Sequence, residues 1–290
     1  MLGKETCKAP SLPNEFTQNH SDQYRRDGYL AFEDVITPDE VEAVRGGLRE
    51  ILETHAFNDA RSRFEPPKTE KGKAHFFSKQ SRMMIEFEPG YSPDPATADT
   101  DELDLKVRKF MWFEDALPLF RRMIDYHPAI HRIVSGILED EAVMYQTMAL
   151  VKPPRGGVIK PWHQDNAYFS VSDLNRVIGV WIALDEATPA NGCMHVLPGG
   201  HRKGPLKHEH TTDCEIAPGR FDPADALPIP LKPGGALFFH GNLPHFTPPN
   251  DSDLRRRALQ FHYRAKSNAV VPNDTYYEIF KESDEIGRAS

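Results

Sequence analysis

The stretch Lys160-Pro-Trp-His163-Gln-Asp165-Asn-Ala-Tyr-Phe169 sets an imidazole and a carboxylate two positions apart. Residues 160–169 have the composition of a strand, and on a strand that spacing sends both side chains to one face. Such a pair suits a metal ion. Alone it says little: with 43 acidic residues among 290, about two of the 13 histidines meet one two positions later by chance. His20-Ser-Asp22 is a second occurrence, but its setting is polar, and Ser21 or Asp22 reads better there as a helix cap. A third ligand is available downstream, where Gly235-Ala-Leu-Phe-Phe-His240-Gly-Asn-Leu-Pro-His245-Phe-Thr247 ends an apolar run with two histidines. Two histidines and a carboxylate form a facial triad that holds iron(II) and leaves three positions open, as oxygenase chemistry requires. The same ligands serve catalytic zinc. A zinc hydrolase, or a barrel that binds metal without turnover, therefore stays open at this point. If 2-oxoglutarate fills two open positions, its far carboxylate needs a fixed cation. Arg255-Arg256-Arg257 offers one as a planar, permanently charged fork.

Three kinds of element must position these groups. Thr37-Pro38-Asp39-Glu40 is a capping box with proline at the first helical position, and Val41, Val44, Leu48, Ile51 and Leu52 recur at helical spacing. This predicts an amphipathic helix over residues 38–55, weakened in the middle by Gly46-Gly47. Residues 58–104 carry two polar, proline-rich stretches and are expected to form a long excursion, a lid or binding loop. Residues 117–138 return to helical periodicity, with Pro128 starting a second helix. Beyond Ala142 the apolar runs become short and β-branched or aromatic, with strands expected at 143–151, 160–169, 177–185, 192–197, 236–239 and 256–263. The expected fold class is mainly β with flanking helices: a double-stranded β-helix, the jelly-roll or cupin-like core, over residues 142–265. The expected organisation is a loose N-terminal arm over 1–20 and one domain over 21–290.

Composition narrows the partners. A net charge of −8, with lysines and arginines scattered, disfavours nucleic acid. No run approaches the roughly 20 apolar residues of a membrane span, and residues 1–18 are polar rather than signal-like. Cys7, Cys193 and Cys214 are too few and too widely spaced for a disulfide framework. These features together point to a cytoplasmic protein acting on a small molecule.

Tyr24-Arg-Arg-Asp-Gly-Tyr29, His163-Gln-Asp165, Gly179-Val-Trp-Ile-Ala-Leu-Asp-Glu-Ala187, Asn191-Gly-Cys-Met-His-Val-Leu-Pro-Gly-Gly-His201 and Gly234-Gly-Ala through His245 follow one another in this order. In that series the chain resembles the iron(II)- and 2-oxoglutarate-dependent dioxygenases, and within them the phytanoyl-CoA dioxygenase family. The resemblance implies His163, Asp165 and His245 as the metal ligands and Arg256, eleven positions after the last histidine, as the clamp on the 2-oxoglutarate tail. It further implies Lys109, Met148, Trp181 and Thr247 as co-substrate contacts, to which Gln146, one pleat from Met148, is added. The implied activity consumes O2, converts 2-oxoglutarate to succinate and CO2, and hydroxylates a small organic substrate. Halogenating relatives replace the metal carboxylate with a small residue, whereas Asp165 is present here, so hydroxylation is expected.

Other residues have plainer readings. His240 competes with His245 as a ligand, and the family register favours His245. His208-Glu-His210 is read as a solvated loop, and His195 and His201 as structural, hydrogen-bonded histidines. Trp162, Tyr168 and Phe169 are either substrate-cavity lining or plain core. Lys68, Lys71, Lys73 and Lys79 would suit a coenzyme A phosphate but are expected to be simply solvated.

Overall fold

The computed structural model describes residues 9–210, 213–272 and 279–280. The chain begins with α1 (Gln18–Asp27), β1 (Tyr29–Phe32) and α2 (Pro38–His55), and continues through β2 (Ser62–Glu65), β3 (His75–Ser78), β4 (Met84–Phe87), α3 (Thr100–Lys106) and β5 (Val107–Met111). The helical pair α4 (Pro118–Tyr126) and α5 (Pro128–Leu138) leads into β6 (Ala142–Lys152), β7 (Lys160–His163), β8 (Val177–Ala183) and β9 (Met194–Val196). The remaining strands are β10 (His208–His210), β11 (Cys214–Ile216), β12 (Leu227–Ile229), β13 (Ala236–His240), β14 (His245–Thr247) and β15 (Arg256–Ala265). A nine-stranded sheet runs β1-β13-β8-β15-β6-β5-β4-β3-β2, and a four-stranded sheet runs β12-β9-β14-β7. Both walls contribute to one apolar cluster, in which Trp181, Leu237 and Ala258 of the large sheet meet Met194, Val196 and Ile229 of the small one. This is the jelly-roll core the sequence predicts.

Strand β15 shows why the inner face is polar. Leu259, Phe261 and Tyr263 face outward into a cluster with Ile124 of α4 and Ile130, Ile133 and Val134 of α5. The buried Tyr263 hydroxyl donates to Ile124 O at 2.6 Å. Alternation along the strand then turns Arg256, Gln260 and His262 inward. Helix α2 forms as its capping box predicts, with Glu40 N donating to the Thr37 hydroxyl and the Glu40 carboxylate accepting from Thr37 N at 2.8 Å. The helix is continuous through Gly46-Gly47, and Gly47 has a packing role there: a Cβ would lie 3.0 Å from the Phe120 ring, so the glycine lets α4 approach closely.

Three expectations need correction. Residues 58–104 are not a free excursion, because β2, β3 and β4 extend the large sheet through antiparallel pairing onto β5. The alternating aromatics Phe64, Phe76 and Phe87 supply the buried face that holds them there. The described part of the arm is not loose: Ala9 is buried, and Leu12 N donates to Glu33 O. Helix α1 begins at Gln18, with Thr17 rather than Ser21 or Asp22 at its N-cap. Residues 1–8 and 281–290 of the expected arm and domain lie outside the described residues.

Candidate active site

Strands β7 and β14 are antiparallel neighbours, and their register sets His163 opposite His245. The two rings lie 4.2 Å apart between centroids. Each Nδ1 sits against a backbone carbonyl, Pro161 O at 2.8 Å for His163 and Leu243 O at 2.9 Å for His245. A carbonyl only accepts, so both Nδ1 atoms carry the proton and both Nε2 lone pairs face inward, the tautomer a metal needs. Asp165 Oδ1 lies 3.3 Å from His163 Nε2 and 3.5 Å from His245 Nε2. All three residues are buried, and their ligand atoms lie within 4.8 Å of one another. Burial pushes the His163 imidazole down to about 3, which keeps it in the neutral, ligating form. Burial alone would raise Asp165, but the imidazoles of His245 and His262 outweigh it and hold the carboxyl well below its usual range.

The way Asp165 reaches this point differs from the expectation. Strand β7 ends at His163, and Asp165–Tyr168 is a 3-10 turn, so the carboxylate meets the imidazole through a turn and not through a pleat. Buried amides bend the chain there. Gln164 Nε2 donates to Asn242 O at 2.6 Å and Gly204 O at 2.9 Å, and Asn166 Nδ2 donates to Leu174 O and Asn242 Oδ1. Gln164 N donates to His208 Nε2 at 3.1 Å. His208 is thus a buried residue of β10, not part of a solvated loop. Gly241 is required beside the turn, since a Cβ there would fall 2.2 Å from Asn166 Oδ1.

A cavity of about 210 Å3 opens from the triad, lined by His163, Asp165 and His245, by Lys109, Gln146, Met148, Thr247 and Arg256, and by Tyr168. The three arginines separate by pairing. Arg255 is held by Asp104 and Arg257 by Asp185, both carboxylates outside the cavity. Arg256, 2% exposed, makes no ion pair among the described residues; its Nη1 donates to Leu150 O at 3.1 Å and its Nε has no partner. Desolvation pushes this guanidinium down to about 10. Trp181 is not in the cavity wall. It is fully buried one layer back, with the Arg256 guanidinium 5.6 Å from its ring, so it supports the arginine. His240 is likewise outside the site, packed against His201 and Tyr24, with its Nδ1 accepting from Asn242 N. His195 and His201 bond backbone carbonyls, as expected of structural histidines. Trp162 packs on Phe221 and Phe246 and Phe169 on His262 and Tyr145, so of the three aromatics only Tyr168 lines the cavity. Lys68, Lys71 and Lys79 are exposed, whereas Lys73 is half-buried on the cavity wall and pairs with Glu86.

Two neighbours of the triad carried no signal by spacing. His262 Nε2 lies 2.7 Å and Gln260 Nε2 3.1 Å from Asp165 Oδ2. Both donate to that oxygen, which leaves Oδ1 as the one turned to the metal point. Their inward alternation with Arg256 was readable, but their partner was not.

The family comparison agrees with this geometry, with residues 24–258 matching the model of the phytanoyl-CoA dioxygenase family. The chain belongs to that family. It is 28% identical over 287 residues to phytanoyl-CoA dioxygenase domain-containing protein 1 of Danio rerio, covering 92% of this chain and 96% of that protein. Against phytanoyl-CoA dioxygenase 1 of Oryza sativa subsp. japonica it is 28% identical over 243 residues, covering 81% and 84%. Among solved structures, EvdO2 from Micromonospora carbonacea var. aurantiaca, crystallised with 2-oxoglutarate, is 26% identical with a TM-score of 0.57, covering 90% of this chain and 95% of that one. Family, site and fold make this chain an oxygenase of the iron(II)- and 2-oxoglutarate-dependent kind, with O2 as the second co-substrate. No helix among the described residues is long and apolar enough to cross a membrane.

Proposed function

We propose that the chain hydroxylates a small organic molecule while 2-oxoglutarate is oxidised to succinate and CO2, with His163, Asp165 and His245 as the metal ligands. The observation that carries this reading is Arg256, a buried guanidinium that makes no ion pair among the described residues, on the same cavity as the triad. A buried charge in that state calls for an anion. A zinc hydrolase has no use for it, whereas the tail carboxylate of 2-oxoglutarate supplies the partner.

Iron(II) at the triad supplies oxygen activation and anchorage of the keto acid. The chain supplies position and dryness. His163 and His245 present fixed neutral nitrogens, and Asp165 brings one negative oxygen while Gln260 and His262 hold the other. Arg256, braced by Trp181 and Leu150 O, orients the tail, with Thr247 beside it. Lys109, Gln146 and Met148 complete the co-substrate wall, and Met111 and Tyr168 close the space toward the substrate.

Residues 58–104 are read as the specificity-determining part of a single dioxygenase domain over 21–290, a reading supported by Lys73 and Glu88 on the cavity wall. A cytoplasmic location is part of the same proposal, supported by the buried thiol of Cys193, which forms no disulfide among the described residues. The test is a mass-spectrometric screen of metabolite mixtures with the iron-loaded protein. It should show a product heavier by one oxygen that forms only with 2-oxoglutarate and iron, alongside succinate. Absence of both succinate and product, in protein shown to hold iron, overturns the proposal.

A further inference from the structure

Six cationic side chains line the cavity, and four are already matched to carboxylates. Lys73, Arg108 and Lys109 share Glu86, and Lys160 is held by Asp213 at 2.5 Å. The two without an ion pair among the described residues are Arg256 and Lys152. They are cross-strand partners, Lys152 as the last residue of β6 and Arg256 as the first of β15.

Lys152 is 4% exposed, an unusual burial for an ammonium group. Its Nζ donates to Val158 O at 2.6 Å, and its other two donors make no hydrogen bond among the described residues. Its stem runs through a passage that two glycines keep open. A Cβ on Gly157 would fall 2.8 Å from Lys152 Cβ, and one on Gly192 would fall 2.8 Å from both Lys152 Cδ and Pro248 O. Both glycines hold positive φ, so their backbone as well as their size is selected. The passage places the stem beside the residue that follows Thr247, at the Arg256 end of the cavity. Burial and the neighbouring Arg256 charge push the ammonium down to about 7. Two desolvated like charges facing each other across adjacent strands are unfavourable unless an anion lies between them. Glu88, on the same wall, attracts Lys152 through space but forms no ion pair with either cation among the described residues, and burial pushes its own carboxyl up toward the neutral form.

Building on the 2-oxoglutarate reading above, we propose that Lys152 is a second cation of the co-substrate subsite, engaging the tail carboxylate together with Arg256. A carboxylate has acceptor sites for both a guanidinium fork and an ammonium. The pair then selects for an acid with a charged far end and rejects keto acids that lack one.

The test compares two ligands of equal chain length in the anaerobic iron(II) protein: 2-oxoglutarate, and 2-oxopentanoate, which carries a methyl group in place of the tail carboxylate. Binding is read from the visible absorbance that a keto acid produces on chelating iron, and from calorimetry. Lys152→Met should weaken 2-oxoglutarate by roughly 10- to 100-fold, as expected for a lost charged hydrogen bond, and leave 2-oxopentanoate within about threefold. Lys152→Arg should recover most of the loss. Iron content and melting temperature are measured on each variant. Unchanged 2-oxoglutarate affinity in an iron-loaded Lys152→Met protein overturns the proposal, as does an equal loss for both ligands, which marks a structural role only. If wild-type iron protein binds no 2-oxoglutarate, the underlying functional reading fails, and the proposal fails with it in a recognisably different way.

Discussion

Replacing Arg256 with methionine separates what the residue does for folding from what it does for binding. The guanidinium is 2% exposed and burial lowers it from its usual range to about 10, which at ~1.36 kcal/mol per pH unit is about 3 kcal/mol held against the charge. Methionine removes that penalty and loses one bond to Leu150 O, worth about 1 kcal/mol. Without 2-oxoglutarate the variant should therefore melt no lower than wild type. With it the sign reverses, because the tail carboxylate would enter a buried site with its main cation gone, at about 2–5 kcal/mol for truncating one partner of such a pair. Taking 3 kcal/mol, Kd should rise roughly 100-fold. The assay is a thermal melt with and without 2-oxoglutarate, joined to an anaerobic titration of the iron(II) protein. A ligand at 100 times Kd adds about 2.7 kcal/mol to wild type, and at the same concentration the variant should gain much less. A variant that binds 2-oxoglutarate within about threefold of wild type, or that unfolds well below it in the absence of ligand, would refute the reasoning.

The choice between the two downstream histidines is checked by metal analysis: His245→Gln should lose iron, while His240→Gln, outside the cavity, should retain it. Gly241→Ala drives a methyl group into Asn166 and should cost about 1–3 kcal/mol by denaturant melt, loosening the turn that carries Asp165. Glu86 sits where burial would raise its carboxyl, but the His75 hydrogen bond and the charges of Lys109, Arg108 and Lys73 together drive it far below 4.5. Its folded value is depressed, so its contribution is fully present above about pH 4.5 and is lost as pH falls below that. Glu86→Gln should be destabilised at pH 7 by chemical denaturation and should show a shallower further loss between pH 4.5 and 2 than wild type.

Much of this protein was legible in one dimension. Thr37 and Glu40 fix a helix start through bonds three residues apart, and Leu259, Phe261 and Tyr263 declare an outer face by strand alternation alone. The candidate metal ligands could be named because His163, Asp165 and His245 lie in runs whose order resembles that of a family. The route by which Asp165 arrives was not legible, since Gln164, Asn166 and Asn242 bend the chain by bonding groups about 40 and 80 residues away. The strands β2, β3 and β4 were hidden for a related reason: four-residue segments flanked by polar, proline-rich stretches become strands only when a sheet edge accepts their hydrogen bonds.

By itself, then, the sequence determined which elements form, which side chains could bind metal, and that three adjacent arginines stood ready to meet an anion. Only the tertiary structure decided which arginine makes no ion pair among the described residues, that Lys152 stands opposite it, and that His262 and Gln260 claim one oxygen of Asp165. The physical reason is reach. Propensity, capping and alternation act over a few residues, whereas ion pairing and desolvation depend on which distant groups the closed barrel brings within a few ångströms.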